Sequence, residues 1–148
     1  MFVSESVHTL DDKGRLTLPS KHRNELGVKF YALIDFDHCI SLYSEEEYEL
    51  RAKPIKELSQ FDSNARKLKR LFFANSLECH LDGSGRLLLP KTFLEKAHID
   101  REIILLGVSD HLEIWDYKTY SQQSEEDEDN YEALASKMSG VKSYEWRV

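Results

Sequence analysis

Residues 10–19 read LDDKGRLTLP, and residues 81–90 read LDGSGRLLLP. Seven of these ten positions are identical at a constant offset of 71 residues. A match of this kind indicates an internal duplication, in which one structural unit occurs twice along the chain. Two copies are too few for a solenoid, which needs about three repeats to bury a continuous core, so we expect the copies to pack face to face.

The duplication extends beyond this motif. Residues 40–43 (ISLY) correspond to residues 112–115 (LEIW), and Tyr48 corresponds to Tyr120, both at an offset of 72. The change of offset means that one residue has been gained between the two anchors, and we expect it in a loop. The sequence therefore predicts a pseudo-two-fold molecule that presents one surface twice, which suits a repetitive partner better than a single small substrate.

The local patterns favour an α+β chain with the same elements in each copy. Each motif is expected to form a tight turn between two strands, and its closing proline is expected to start a short helix. In the first copy we predict strands at 7–10, 16–18, 29–35 and 39–43, and helices from Pro19 to Leu26, from Ser44 to about Leu58 with a break or kink at Pro54, and at 64–75. In the second copy we predict strands at 77–81, 86–89, 102–107 and 111–115, a short helix from Pro90 and a last helix from Tyr117.

Length and composition place the chain among ordinary globular proteins. Its 148 residues fit one domain or two small halves that share a core. It has no run of about 18 apolar residues, and its first residues, MFVSE, lack the basic-then-apolar order of a secretion signal, so we expect neither a membrane span nor a signal peptide. Cys39 and Cys79 lie far apart, and we expect them to be ordinary thiols of a reduced, cytoplasmic protein.

The formal net charge of −7 argues at first against a nucleic-acid partner. Its distribution weakens this objection, because residues 121–148 hold seven acidic and three basic side chains and so carry −4 of the total. The acidic run 125–129 is expected to be a solvated helix face. Four basic side chains lie close together around the first motif: Lys13, Arg15, Lys21 and Arg23. A local basic surface can bind DNA even on an acidic protein, although net negative charge weakens non-specific binding.

Each motif carries an aspartate four residues before an arginine, with a glycine between them. We predict that the side chains of Asp11 and Asp82 accept backbone N–H groups of the turn and pair with the arginine. We predict that Gly14 and Gly85 supply the positive φ that such a turn needs. These four residues are therefore expected to be mainly structural.

The arginines of the two motifs are the leading candidates for function. Arg15 and Arg86 are placed at an exposed hairpin tip in both copies, where a guanidinium can reach a phosphate or the edge of a guanine. Lys13 is a comparable candidate, but its counterpart Ser84 carries no charge. We therefore expect both copies to contact DNA, and to contact it unequally.

Other patterns have more ordinary interpretations. The basic stretch 66–70 is expected to be a solvated helix face or a subunit contact. Residues 83–85 (GSG) lack the flanking lysine and the spacing of a phosphate-binding loop. The His-Cys pair at 38–39 and the Cys-His pair at 79–80 lack the spacing of a zinc site. No serine or cysteine lies beside both a plausible base and an orienting acid along the sequence. We therefore expect no metal, no cofactor, no small-molecule substrate and no catalysis.

Together these residues resemble the MraZ family of bacterial regulators of the division and cell-wall gene cluster. The resemblance rests on residues 11–15 (DDKGR) with Pro19, on residues 78–86 (ECHLDGSGR) with Pro90, and on residues 70–74 (RLFFA) and 113–116 (EIWD). It extends from the first residue to about residue 135. Two motifs at the right separation make it specific, whereas a single Asp-x-x-x-Arg would be weak.

The resemblance implies an α+β fold of two tandem AbrB-like swapped-hairpin β-barrel units, related by a pseudo-two-fold axis, with packing helices. The corresponding organisation has a first repeat at 1–58, a connecting helix at 59–76, a second repeat with a C-terminal helix at 77–138, and a flexible tail at 139–148.

The resemblance also implies a ring-shaped homo-oligomer that binds short tandem repeats of double-stranded DNA in the promoter of its own gene cluster, in the cytoplasm at the nucleoid. By position, it makes Lys13, Arg15 and Arg86 the leading DNA contacts, with Arg23 and Lys91 as weaker candidates. Two alternatives stay open: a protein-interaction module similar to an antitoxin, since swapped-hairpin domains also serve there, and an enzyme, which would need a pocket with converging titratable groups.

Overall fold

The computed structural model of the chain describes residues 1–138. Eight strands and six α-helices occur within this range, which confirms the predicted α+β class. The strands are β1 (Glu5–Thr9), β2 (Arg15–Thr17), β3 (Lys29–Asp35), β4 (Cys39–Ser44), β5 (Ser76–His80), β6 (Arg86–Leu88), β7 (Glu102–Gly107) and β8 (Leu112–Asp116). The helices are α1 (Ser20–Leu26), α2 (Glu45–Lys56), α3 (Ser63–Ala74), α4 (Lys91–Lys96), α5 (Tyr117–Asp129) and α6 (Tyr131–Met138). The predicted flexible tail at 139–148 lies outside the described residues.

The chain divides into two compact units, one at Met1–Tyr117 and one that begins at Lys118. The sequence predicts a single helix across the start of the second unit, but the structure has two, α5 and α6. The backbone N–H of Asn130 donates to the carbonyl of Asp127, three residues earlier, at 3.1 Å, and this 3₁₀-type bond ends α5. The carbonyl of Asn130 then accepts the N–H of Leu134 at 2.9 Å and starts α6.

The two repeats exchange strands within the first unit. A six-stranded antiparallel sheet has the order β1-β7-β8-β4-β3-β5. In it, β1 of the first repeat pairs with β7 of the second, and β5 of the second repeat pairs with β3 of the first. Strands β3 and β4 form one hairpin, and β7 and β8 form the other. Pairing of β4 with β8 joins these two hairpins at the centre of the sheet. The remaining strands, β2 and β6, pair with each other in a separate two-stranded sheet, which we call the ribbon. The two halves are therefore interleaved.

One hydrophobic core joins the repeats and holds the ribbon. Leu16 of β2 and Leu87 of β6 lie opposite each other across the ribbon, and both are buried. They belong to the same cluster as Phe30 and Leu42 of the first repeat and Leu105 of the second. Because strand side chains alternate between two faces, burial of these leucines turns the other face of the ribbon toward solvent.

Local signals explain the course of α2. The side chain of Ser44 accepts the backbone N–H of Glu47 at 3.2 Å, as the capping pattern predicts. Pro54 does not break the helix, which continues to Lys56 and ends slightly before the predicted Leu58. Pro54 lacks only its own N–H, so later residues still donate, as the N–H of Glu57 does to the carbonyl of Lys53 at 3.2 Å.

Candidate nucleic-acid interface

The first motif forms a tight turn that its own aspartate holds together. Oδ1 of Asp11 accepts the backbone N–H groups of Lys13 and Arg15, each at 2.9 Å. The N–H of Gly14 donates to the Asp11 carbonyl at 3.0 Å, and Gly14 has a φ of 78°, which glycine adopts at little cost. Oδ2 of Asp11 accepts Nε of Arg15 at 2.6 Å. One carboxylate therefore both shapes the turn and positions the guanidinium.

The second motif repeats this geometry. Oδ1 of Asp82 accepts the N–H groups of Ser84 at 2.9 Å and Arg86 at 3.0 Å, and Oδ2 accepts Nε of Arg86 at 2.8 Å. Gly85 has a φ of 74°. In each motif the backbone N–H of the arginine is the main cause that lowers the pKa of the aspartate below its ordinary value, and the arginine side chain lowers that pKa further.

Each guanidinium is held at the surface through one of its three nitrogens. The bond to the aspartate uses Nε and does not use the two terminal nitrogens, which are the atoms that bind a phosphate or the two acceptors of a guanine. The side chains of Arg15 and Arg86 remain 27% and 33% exposed. Because the aspartate already restricts the side chain, binding through the terminal nitrogens costs less conformational entropy.

The ribbon places both arginines on one face. Arg15 lies opposite Leu88, and Thr17 lies opposite Arg86. Residues directly opposite in an antiparallel pair point to the same side, as do alternate residues of one strand. These four side chains therefore form the outer face of the ribbon. The strand spacing puts the Cα atoms of the two arginines roughly 8 Å apart.

The two turns are also tied to each other. The backbone N–H of Leu18 donates to the carbonyl of Gly85 at 3.1 Å, and the N–H of Leu89 donates to the carbonyl of Gly14 at 3.0 Å. Each strand that leaves one motif therefore ends against the turn of the other. This reciprocal arrangement makes the two motifs a single surface and not two separate tips.

The cations lie at different positions at the two ends of this surface. Lys13 is exposed in the first turn, where Ser84 occupies the second. Lys91 is exposed at the start of α4, where Ser20 occupies the start of α1. The predicted DNA contacts Lys13 and Lys91 thus have no charged counterpart in the other repeat.

The further candidate Arg23 belongs to the second turn, although it is part of the first repeat. A methyl group built onto Gly85 would meet the guanidinium of Arg23, whose Cζ would lie 2.8 Å away. Its counterpart Leu94 lies near Gly14, at 3.5 Å from the corresponding position. The structure therefore brings Arg23 close to the Arg86 motif. This proximity could not be predicted from the sequence, in which the two lie far apart.

Two residues of the outer face were not predicted from the sequence. Thr17 and Leu88 occupy the same face as the arginines, and Leu88 is 57% exposed. The alternation of side chains along each strand was the signal that could have found them, since each lies two residues after an arginine. In the second copy this signal is hidden, because residues 87–89 are all leucine.

The basic stretch of α3 belongs to another surface. The side chain of Arg66 donates to the carbonyl of Gln60 at 2.9 Å. Beside this stretch, Phe36, Leu68 and Leu71 help to line a largely apolar groove of about 210 Å³, and all three are exposed. This helix packs against α2 and contributes Phe72 to a second, smaller cluster of buried residues.

The cysteines do not form an obvious reactive site. Cys39 and Cys79 are free thiols and both are buried. Burial raises the pKa of Cys39 far above its ordinary value and raises the pKa of Cys79 to about 11, so both thiols are protonated and weakly nucleophilic near neutral pH. In residues 1–138, no group of three or more His, Cys, Asp or Glu side chains is arranged to hold a metal ion. None of the helices in this range is long and apolar enough to cross a membrane.

Fold and site together define a class of protein: an internally duplicated α+β chain whose interleaved halves each present a turn in which an aspartate holds an arginine. The family model described as "MraZ protein, putative antitoxin-like" matches the chain twice, at residues 1–71 and 72–142. The chain belongs to the MraZ family, as the two motifs predict.

Individual relatives match over most of their length. The transcriptional regulator MraZ of Moorella thermoacetica is 41% identical over 138 residues, which cover 93% of this chain and 96% of that protein. The protein of the same name from Syntrophomonas wolfei is 38% identical with the same coverage. That from Limosilactobacillus fermentum is 35% identical over 141 residues, which cover 95% of this chain and 99% of that protein.

Proposed function

We propose that this chain is a sequence-specific, DNA-binding regulator of transcription that acts as a ring-shaped homo-oligomer on tandem promoter repeats of the division and cell-wall gene cluster. The observation that carries the proposal is the outer face of the ribbon, on which Asp11 and Asp82 hold Arg15 and Arg86. The relatives that match most of the chain are named transcriptional regulators, which supports the same conclusion.

The shape of the ribbon suits the major groove of DNA. That groove is about 12 Å wide and admits a two-stranded β-ribbon. The terminal nitrogens of Arg15 and Arg86 would bind O6 and N7 of guanines, since this bidentate pair is the commonest specific contact. Lys13, Arg23 and Lys91 would bind phosphates around the groove and set the register of the protein on the duplex.

Net charge and repetition of the site would make separate contributions to DNA binding. Because the net charge is −7, non-specific attraction to DNA would be weak, and the salt dependence of binding would follow the number of phosphates that the basic side chains contact. Each protomer of a ring would bind one repeat, so a promoter with several repeats would bind by avidity. The proposal includes no catalysis, cofactor or small-molecule substrate, and it places the protein in the cytoplasm at the nucleoid.

The proposal also assigns the repeats to AbrB-like swapped-hairpin units, with the first at 1–58, the connecting helix at 59–76 and the second at 77–138. The exchange of β1 and β5 between the repeats supports this assignment, because each hairpin is completed by a strand of the other repeat.

A second copy of this chain is the proposed occupant of the groove beside α3. Phe36 and Leu71 are 74% and 62% exposed there, and the basic stretch 66–70 lies next to them. An acidic patch of another copy would complement the charge of this basic stretch. A contact between two different patches closes into a ring when its rotation allows.

The oligomer is tested by light scattering on Leu71→Asp. We expect a smaller particle than that of the wild type, because a carboxylate in the groove would have to be desolvated on assembly. Leu50→Asp is the matched control, since Leu50 is an exposed leucine of α2 and does not line this groove. An unchanged particle size for Leu71→Asp would show that the groove is not part of the subunit interface.

Regulation is tested with a reporter placed behind the DNA that precedes the gene for this chain. We expect the wild type to change reporter output and the Arg15→Ala/Arg86→Ala variant to have no effect. Lys56→Ala, which removes an exposed cation of α2, should act as the wild type does. A double variant that still regulates fully would contradict the proposed role of the ribbon.

A second candidate function is a protein-interaction module similar to an antitoxin. The description of the matching family model favours it, since it contains the term antitoxin-like. In that case the ribbon would bind a protein partner and would not read DNA. Equal, weak binding of the upstream duplex and of a scrambled duplex would support this second function over the first.

A further inference from the structure

The pseudo-two-fold symmetry of the ribbon is broken on its outer face. Arg15 lies directly opposite Leu88, whereas Arg86 lies directly opposite Thr17. The two arginines are held in the same way, so the difference lies in the neighbour of each arginine. One end of the face therefore combines a guanidinium with a leucine, and the other combines a guanidinium with a threonine.

The exposed position of Leu88 makes this difference relevant to base recognition. Residues directly opposite in an antiparallel pair have Cβ atoms about 4.5–5.5 Å apart, so the Leu88 side chain starts within reach of the groove position next to the one that Arg15 occupies. Leu88 is 57% exposed, while its strand neighbours Leu87 and Leu89 are buried. An apolar side chain at such a position meets one apolar group in the major groove, the C5-methyl of thymine.

We propose that Leu88 is a specificity-determining residue, which contacts the C5-methyl of a thymine next to the guanine bound by Arg15. This inference rests on the proposed DNA-binding function and names the base that one end of the ribbon selects. Thr17 has a single methyl group and a hydroxyl, so the Arg86 end is less selective for thymine. Each protomer consequently reads its repeat in one direction.

The charges around the ribbon favour the same fixed direction. Lys13 belongs to the turn that holds Arg15, and Lys91 lies two residues after Leu89, whose backbone donates to Gly14 of that turn. The Arg86 end has Ser84 in its turn, Arg23 against Gly85, and Lys21 shortly after Leu18, whose backbone donates to Gly85. Because the cations at the two ends occupy different positions, a repeat bound in the reverse direction would change its phosphate contacts and lose the thymine contact.

The test removes single methyl groups from the DNA. A duplex is first selected by the wild type from a randomised pool, and each thymine in it is then replaced by uracil, which lacks only the C5-methyl. We expect one replacement to weaken wild-type binding about threefold to fivefold, the effect of one buried methyl group. The same replacement should leave the affinity of Leu88→Ala unchanged. Leu50→Ala, which truncates an exposed leucine of α2, should respond as the wild type does.

Three outcomes decide the matter. A uracil penalty in the wild type that is absent in Leu88→Ala supports the proposal. The role of Leu88 is overturned if the uracil penalty is equal in the wild type and in Leu88→Ala, or absent from both. If selective binding is still lost in Arg15→Ala, the proposed function stands. Failure of the wild type to select any sequence overturns the proposed function and this inference together.

Discussion

The guanidinium of Arg23, in the first repeat, lies against Gly85, the turn glycine of the second. Within residues 1–138, its Nε is the one buried side-chain nitrogen or oxygen without a hydrogen-bond partner. At the equivalent place in the other repeat, Leu94 lies near Gly14. A buried donor without a partner costs about 1–3 kcal/mol, so the first repeat accepts a penalty that the second avoids. This relationship fits a residue kept for binding and not for stability.

The variant Arg23→Leu tests this interpretation. We expect it to raise the free energy of unfolding by about 1 kcal/mol, because the unsatisfied Nε disappears while an apolar side chain still covers the turn. We also expect weaker DNA binding with a smaller salt dependence, since one phosphate contact is lost. Urea unfolding and anisotropy titrations measure the two effects.

The reciprocal variant Leu94→Arg is the control, and it should lower stability because it places an unpaired cation against the core. Loss of stability in Arg23→Leu would show that the arginine serves the fold.

We expect the aspartates to affect the sequence selectivity of DNA binding more than its overall affinity. In Asp11→Asn one negative charge is removed, which favours DNA without regard to sequence. The Arg15 guanidinium is at the same time less firmly oriented, which weakens its bond to a guanine. We therefore expect affinity for a scrambled duplex to rise and affinity for the selected duplex to fall.

The ratio of the two affinities, measured at one salt concentration, reports the effect. The variant Asp110→Asn is the control, because Asp110 pairs with His111 and lies outside the two motifs. Equal changes on both duplexes would show that Asp11 acts only through its charge.

The turn glycines make a prediction about stability. Gly85→Ala and Gly14→Ala each force a side chain into a positive φ, which costs about 1–2 kcal/mol. At Gly14 the new methyl group would also lie 3.1 Å from the Leu89 carbonyl, which is backbone and cannot move freely. At Gly85 it meets the flexible end of Arg23. We expect both variants to be destabilised in urea, and Gly14→Ala to lose more. The opposite order would show that the position of Arg23 is rigid.

The motif geometry could be predicted from sequence because it is local. Asp11, Gly14 and Arg15 lie within five residues, and their chemistry leaves few ways to satisfy the backbone of the turn. Strand exchange is different, because β1 pairs with β7, whose residues lie 93 to 101 positions further on, and an alternating pattern does not specify its partner. The place of Arg23 at Gly85 depends on that exchange. The exposure of Leu88 depends on the pairing register, since three successive leucines look uniformly buried in the sequence.

His111 should make stability depend on pH. Burial lowers its pKa, but hydrogen bonds to Glu113 and Asp110 outweigh burial, so the net effect raises the pKa above its ordinary value of 6.5. A histidine with a raised pKa in the folded state stabilises fully below its unfolded pKa, and the gain is lost as pH rises through the folded pKa.

The difference in unfolding free energy between the wild type and His111→Gln should therefore be larger at about pH 5.5 than at about pH 8.5. Measuring a difference between two proteins cancels the titration of the other histidines. A difference that increases toward high pH would contradict the assignment.

DNA recognition by the outer face of the ribbon is tested by a fluorescence anisotropy titration of the wild type and of Arg15→Ala/Arg86→Ala on DNA from upstream of the gene, at several salt concentrations. We expect selective binding by the wild type that weakens steeply with salt, and about 1–3 kcal/mol lost per arginine and site in the variant. A scrambled duplex is the control. Binding of the upstream duplex that is unchanged in the double variant, or that equals binding of the scrambled duplex, would contradict the claim that the outer face of the ribbon reads DNA.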